Sequence, residues 1–185
     1  MKLYFDEAFA FFQKHINRSE FFRLLKEHNL KTSGSVPSIA WELFGSILTG
    51  KNGSAGYGAD LDGVEIKSAI LGSSFEYQYH LHAGLLKLEE DQTVDHFFCS
   101  YAPDYQSFQV YFIPGSVLSA EYFRKWIPLY KKNYGRGDNA IAIPASERRQ
   151  RFRKSISYGF VVKNGALVMD VQNGELIAST PLPRP

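Results

Sequence analysis

The chain holds a single cysteine, Cys99, among 185 residues, which excludes an internal disulfide framework and a cysteine-based zinc knuckle. Cys99 lies inside the apolar run HFFCSYA and reads as a buried structural thiol. Long hydrophobic runs are missing too: none approaches the roughly 18 residues that a bilayer-spanning helix needs. The opening MKLYFDEAFAFF places acids where a secretory leader wants an unbroken apolar stretch, so the expected location is cytoplasmic. Charge of one sign is scarce, and a formal net charge of +2 does not by itself announce a nucleic-acid partner. Any basic surface has to come from local clustering. Internal repeats and low-complexity linkers are also absent, so one domain over 1–185 is expected. At 44% hydrophobic, a chain of this length can bury a real core.

What is present reads as helices first and strands afterwards. Phe5, Phe9, Phe12 and Ile16 fall on one helical face, and Phe22 and Leu25 continue the pattern over 19–29. This predicts an αα-hairpin over 1–34, which supplies a candidate dimerisation region. A third helix, SIAWELFGSILTG, follows Pro37, with Ser35 or Ser38 as cap and Gly50 as stop. HLHAGLLKLEED has helical character, while VDHFFCSYA and FQVYFIP read as strands of one sheet. SVLSAEYFRKWIPLYKKN is amphipathic, with Pro128 expected to kink the helix or end it early. The last quarter, with Asn164-Gly165 and Asn173-Gly174 between β-rich stretches, predicts an antiparallel meander. The pieces divide into a core over 35–113 and a helix plus meander over 114–185. Helices around a central mixed sheet give an α/β class, with α+β left open.

Residues 57–69, YGADLDGVEIKSA, carry the chemistry. If Asp62 and Gly63 fill a two-residue turn, Leu61 pairs with Val64 and Asp60 with Glu65. Two carboxylates then share a face about 4.5–5.5 Å apart at Cβ, which destabilises the pair unless a positive charge intervenes. Alternation sends Val64 and Ile66 to one face, Glu65 and Lys67 to the other, with the lysine ~6.7 Å further along. Lys67 offsets part of the repulsion. Hard oxygen donors and the unfilled part of the pair point to a divalent ion such as Mg²⁺, whose remaining shell takes waters and phosphate oxygens. The bare spacing D-x4-E-x-K arises often by chance, and a solvated hairpin is the competing reading. The turn dipeptide, the apolar opposite face and the preceding glycines give this instance its weight.

The stretch ADLDGVEIKS resembles the signature of the PD-(D/E)xK nuclease superfamily, an Asp on one strand and an acid-x-Lys on the next, with Ala59 where a proline is conventional. Within it the chain is most similar to type II restriction endonucleases of the PvuII kind, over roughly 40–145. The resemblance implies a restriction-endonuclease-like sheet, Mg²⁺ held by Asp60 and Glu65, and Lys67 assisting the attacking water. It further implies hydrolysis of duplex DNA to 5′-phosphate ends by a homodimer. A helix acid, here Glu42, joins the metal ligands in many members. A histidine-rich stretch reads bases in such enzymes, and YQYHLHAG offers His80 and His82, with Leu81 in the middle position. Gln78 is suited to adenine, and each histidine is equally a candidate structural residue.

The run SERRQRFRK carries Arg148, Arg149, Arg151, Arg153 and Lys154 against Glu147, which suits phosphate contacts as well as a solvated face. Tyr57 and the glycine loop around it are further candidates for tracking the DNA backbone. His15, His28 and His96 show no metal-ligand spacing. Two other readings stay open: a repair or nicking nuclease of the same superfamily, and a DNA-binding module whose acidic hairpin is only structural.

Overall fold

The computed structural model describes residues 1–54, 56, 58–135, 144, 146–147 and 151–182. Tyr57, Arg148 and Arg149 lie outside the described residues. Helices α1 (Phe5–Phe11), α2 (Ser19–Glu27) and α3 (Ser38–Thr49) come first, and α1 runs on into a π-helical turn over Phe12–Ile16. Strands β1 (Val64–Ile70) and β2 (Phe75–His80) precede α4 (Gly84–Glu90), β3 (Asp95–Tyr101) and β4 (Phe108–Ile113). Then follow α5 (Gly115–Leu118), a π-helical turn (Ser119–Phe123) and α6 (Arg124–Tyr134). The remainder is β5 (Arg151–Ile156), α7 (Tyr158–Asn164), β6 (Ala166–Gln172) and β7 (Glu175–Ser179).

Five strands form a mixed sheet in the order β1-β3-β4-β6-β7, with β1 and β3 parallel and the other pairs antiparallel. The class is α/β. A parallel pair cannot be joined by a tight turn, and the crossover from β1 to β3 here consists of β2 and α4. β2 leaves the main sheet and pairs with β5 in a separate antiparallel ribbon.

Each face of the main sheet has its own core. On one, Trp41, Phe44 and Leu48 of α3 and Phe12, Ile16 and Phe22 from the first helices pack on Ile66, Phe97 and Val110. On the other, Tyr77 and Tyr79 of β2, Trp126 and Tyr130 of α6 and Phe152 of β5 cover Phe98 and Ile113. β3 is therefore buried on both sides, which is why HFFCSY reads as a continuous apolar run. Cys99 is fully buried there, as expected. The aromatic stripe of the first two helices is spent on the chain's own core, while Phe21 and Leu24 stay exposed.

Several local expectations change. Neither Ser35 nor Ser38 caps α3: Pro37 holds the cap position, and the Ser35 hydroxyl donates to Thr32 O at 2.6 Å. Gly50 does end the helix, with φ +66°. Pro128 does not end α6, which continues through it to Tyr134. The C-terminal quarter is only partly a meander. Asn173-Gly174 joins β6 to β7, but Asn164-Gly165 closes helix α7, whose first turn is capped by Ser157 Oγ accepting from Phe160 N.

The seat of α4 is set by a close approach. A methyl group on Gly84 would lie 2.9 Å from the Tyr79 carbonyl carbon and Cβ, so the helix has no room for a side chain there. Gly84→Ala is expected to cost about 1–3 kcal/mol in urea unfolding, because the obstacle is backbone rather than a flexible chain end.

Candidate active site

The turn forms as expected around Asp62 and Gly63. Leu61 N donates to Val64 O at 2.9 Å, Val64 N donates to Leu61 O at 3.1 Å, and Gly63 takes φ +73°. Beyond that bridge no ladder continues on the Asp60 side. Instead, the two acids exchange backbone amides: Asp60 N donates to Glu65 Oε2 at 3.1 Å, and Ile66 N donates to Asp60 Oδ2 at 3.0 Å. Each carboxylate is thus anchored by the backbone of the segment that carries the other. The side chains meet without being ladder partners.

Alternation along β1 holds. Val64 and Ile66 join the core on the α3 side, and Glu65 and Lys67 turn toward α4 and the ribbon. Lys67 Nζ reaches back to 2.5 Å from Glu65 Oε1, and the same ammonium lies 4.8 Å from the centre of the Tyr77 ring. The flexible stem closes the gap that the strand rise opens.

A second lysine completes the cluster. Lys87 of α4 donates to Glu65 Oε1 at 3.0 Å, to Glu65 Oε2 at 2.9 Å and to Gly58 O at 3.0 Å. Its ammonium is also 3.6 Å from Asp91 Oδ1, one helical turn on. Asp91 Oδ2 accepts from the Tyr79 hydroxyl at 2.7 Å, while Oδ1 has no hydrogen-bond partner among the described residues. The nearby Asp91 carbonyl oxygen can only accept, so His96 Nε2 donates to it at 2.8 Å. His96 Nδ1 then accepts from Tyr77 OH at 2.9 Å. That is a neutral, structural imidazole, and burial pushes its pKa down to about 4.

These contacts revise the electrostatic argument from the sequence. A metal is not needed to make Glu65 tolerable: burial raises its pKa, but Lys67 and Lys87 together outweigh burial and hold the carboxyl down to about 2. Asp60 is the acid left short. Burial and the Glu65 charge raise it to about 6, and no lysine or arginine is within ion-pair distance of it among the described residues. Asp91 is raised to about 7, by burial and then by Glu65.

Asp60, Glu65, Lys67 and Lys87 open onto a cavity of about 250 Å³, whose far wall carries Gln78 and His80. The ribbon explains that placement. Buried Tyr77 and Tyr79 alternate with outward Glu76, Gln78 and His80, and Gln78 is paired with Arg153 and His80 with Arg151. Gln78 Nε2 and His80 Nε2 are 3.0 Å apart, so the two side chains form one polar edge. Arg151 and Arg153 are exposed on the outward side. Lys154 falls on the other parity, opposite Tyr77, with its ammonium 5.4 Å from the Phe152 ring centre. His82 follows β2 in the turn before α4 and is exposed.

Glu42 does not line that cavity. It lines a separate, largely apolar groove with His15, Leu43 and one side of Asp60. Among the described residues no three His, Cys, Asp or Glu side chains gather closely enough to cage a metal. Among the described residues, Asp60 and Glu65 are the carboxylates that line the cavity. Their hard oxygens suit Mg²⁺, and the unpaired charge of Asp60 is what such an ion would satisfy. The two carboxylates fit such an ion, which Asp60 would hold as principal ligand, with Glu65 shared between it and the two lysines.

Sequence reasoning missed Lys87 and Asp91. Their only signal is an i,i+4 Lys–Asp spacing on a helical stretch, and Lys87 reaches the site only through the crossover. No family model and no curated protein sequence matches the chain.

Proposed function

We propose that this protein is a Mg²⁺-dependent endonuclease acting on double-stranded DNA, a type II restriction enzyme that works as a cytoplasmic homodimer. The observation that carries this reading is one cavity in which Asp60, Glu65 and Lys67 face the polar edge Gln78–His80 of a ribbon bearing Arg151 and Arg153. A major groove is wide enough to admit a two-stranded ribbon, and two-fold pairing of such ribbons suits a palindromic site.

Mg²⁺, when bound, supplies Lewis-acid polarisation of the scissile phosphate and a more acidic water. The chain's own groups do the rest. Lys67, held against Glu65, orients the attacking water and donates toward charge developing on the phosphorus oxygens. Lys87 keeps Glu65 ionised and fixed between two ammonium groups. Arg151 and Arg153 contact phosphates, and Gln78 and His80 meet base edges.

Supercoiled plasmid with Mg²⁺ is the direct test: discrete fragments are expected, whereas nicked circles alone would favour a single-strand enzyme and intact plasmid would end the proposal. Metal binding has its own signature. Protons compete with the ion for Asp60, so Mn²⁺ affinity should be steady above about pH 7 and fall roughly tenfold per unit below about pH 6. An affinity that stays level from about pH 8 to about pH 5 would remove Asp60 from the ligand set.

A further inference from the structure

A second cavity, of about 430 Å³, opens at the opposite end of the strands from the carboxylate cluster. Leu71, just past the end of β1, is part of its lining and lies four residues beyond Lys67, about 13 Å at the strand rise. Its floor is a row across three neighbouring strands, Ser100 of β3, Gln109 of β4 and Asp170 of β6, which are register partners in turn. Tyr158 of α7 and Gln172 form part of the wall.

The row is electrically incomplete. Asp170 is 9% exposed, and its Oδ1 has no hydrogen-bond partner among the described residues. Among the described residues, Oδ2 receives two long amide contacts, from Gln109 Nε2 at 3.4 Å and Gln172 Nε2 at 3.3 Å. Tyr111 OH donates to Gln109 Oε1 at 2.9 Å, which fixes that amide with its NH₂ toward the carboxylate. Ser100 Oγ, fully buried, is also without a partner among the described residues. No lysine, arginine or histidine is within ion-pair distance of Asp170 among the described residues, whereas Glu65, the other acid of comparable burial on this sheet, has two ammonium groups. A buried carboxylate held by neutral amides alone is a costly arrangement that a cation relieves.

We propose that this cavity binds a small organic cation, a primary ammonium or guanidinium group, through Asp170. The volume is far larger than a bare ion needs and falls within the usual range for small-molecule pockets. The phenol of Tyr158 adds an aromatic wall of the kind that favours cationic groups. The nuclease cluster takes no part in this site, so the two stand or fall separately.

Titration of the full chain with n-butylammonium and with ethylguanidinium, followed by backbone amide NMR, tests the proposal. Saturable shifts are expected at Gln109, Asp170 and Gln172, and unchanged in Lys67→Ala. Asp170→Asn should weaken binding by about ten- to hundredfold, the worth of a charged hydrogen bond. Tyr158→Leu keeps the buried row intact and should weaken binding by several-fold, so it tests the site even where Asp170→Asn alters folding. Absence of saturable shifts at these residues, or equal affinity in wild type and both variants, would overturn it.

Discussion

Lys67→Ala is expected to lower the rate of plasmid cleavage by about 10²–10³-fold, while specific DNA binding stays within a few-fold of wild type. The size follows from what the ammonium does: it is the one lysine on the strand that carries Glu65, it lies 2.5 Å from that carboxylate, and it opens on the cavity facing Gln78 and His80. A preorganised donor aimed at developing charge in a partly dry site is worth far more than the same donor in water. The fold should tolerate the change. Glu65 keeps two contacts to Lys87 at 2.9 and 3.0 Å and the Asp60 amide at 3.1 Å, so its charge remains paired after Lys67 is gone. Lys67→Arg is not expected to restore activity, because a planar fork does not reproduce a compact ammonium between a carboxylate and the Tyr77 ring. Cleavage within tenfold of wild type by Lys67→Ala at equal protein and Mg²⁺ would rule out the assignment.

What the sequence made legible was local, and what it hid was set by the crossover. Asp62-Gly63 specified its turn because a glycine at φ +73° is what a tight reversal there requires. The alternation of VEIK placed Glu65 and Lys67 together because one face of β1 is spent on the α3 core. Lys87 was invisible for the complementary reason. On α4 it looks like half of an ordinary surface pair with Asp91, and only the parallel pairing of β1 with β3 folds α4 over Glu65. The same blindness affected the basic run and the last quarter. Five cations in a row read as one patch, yet pairing of β5 with β2 splits the described ones, with Arg151 and Arg153 outward and Lys154 against Phe152. SYGFVV reads as a strand by composition, but a Ser157 cap and burial of Val161 in the second core make it a helix. The expectation that an ion from solution has to offset the repulsion between the two acids is corrected at Glu65, where Lys67 and Lys87 supply the positive charge. Asp60 stays raised to about 6, with no lysine or arginine at ion-pair distance among the described residues.

Lys87→Met should be the most damaging single change to stability, at ~3–5 kcal/mol near neutral pH, the usual cost of removing one member of a buried ion pair. Glu65 and Asp91 are both fully buried, and among the described residues Lys87 is the ammonium that touches the two of them. Methionine fills the space of the stem but leaves Glu65 with Lys67 alone and pushes Asp91, already raised to about 7, further toward its protonated form. The penalty should depend on pH in a definite direction. In the wild type Glu65 is held down to about 2, below its ordinary value, so its contribution to stability is present above about pH 4.5 and fades as pH falls toward 2. The gap between wild type and Lys87→Met should therefore be widest at neutral pH and narrow in acid, where Glu65 can take up a proton in the variant. A companion change separates charge from packing. Asp91→Leu in the Lys87→Met background removes the buried carboxyl group left without its partner, and it should recover part of the loss if burial of that unpartnered polar group is the cause. Urea unfolding of the wild type, Lys87→Met, Asp91→Leu alone and the double variant closes the cycle. A Lys87→Met variant within ~0.5 kcal/mol of wild type at neutral pH, or a gap that does not shrink in acid, would mean that α4 is held on β1 by its apolar contacts alone.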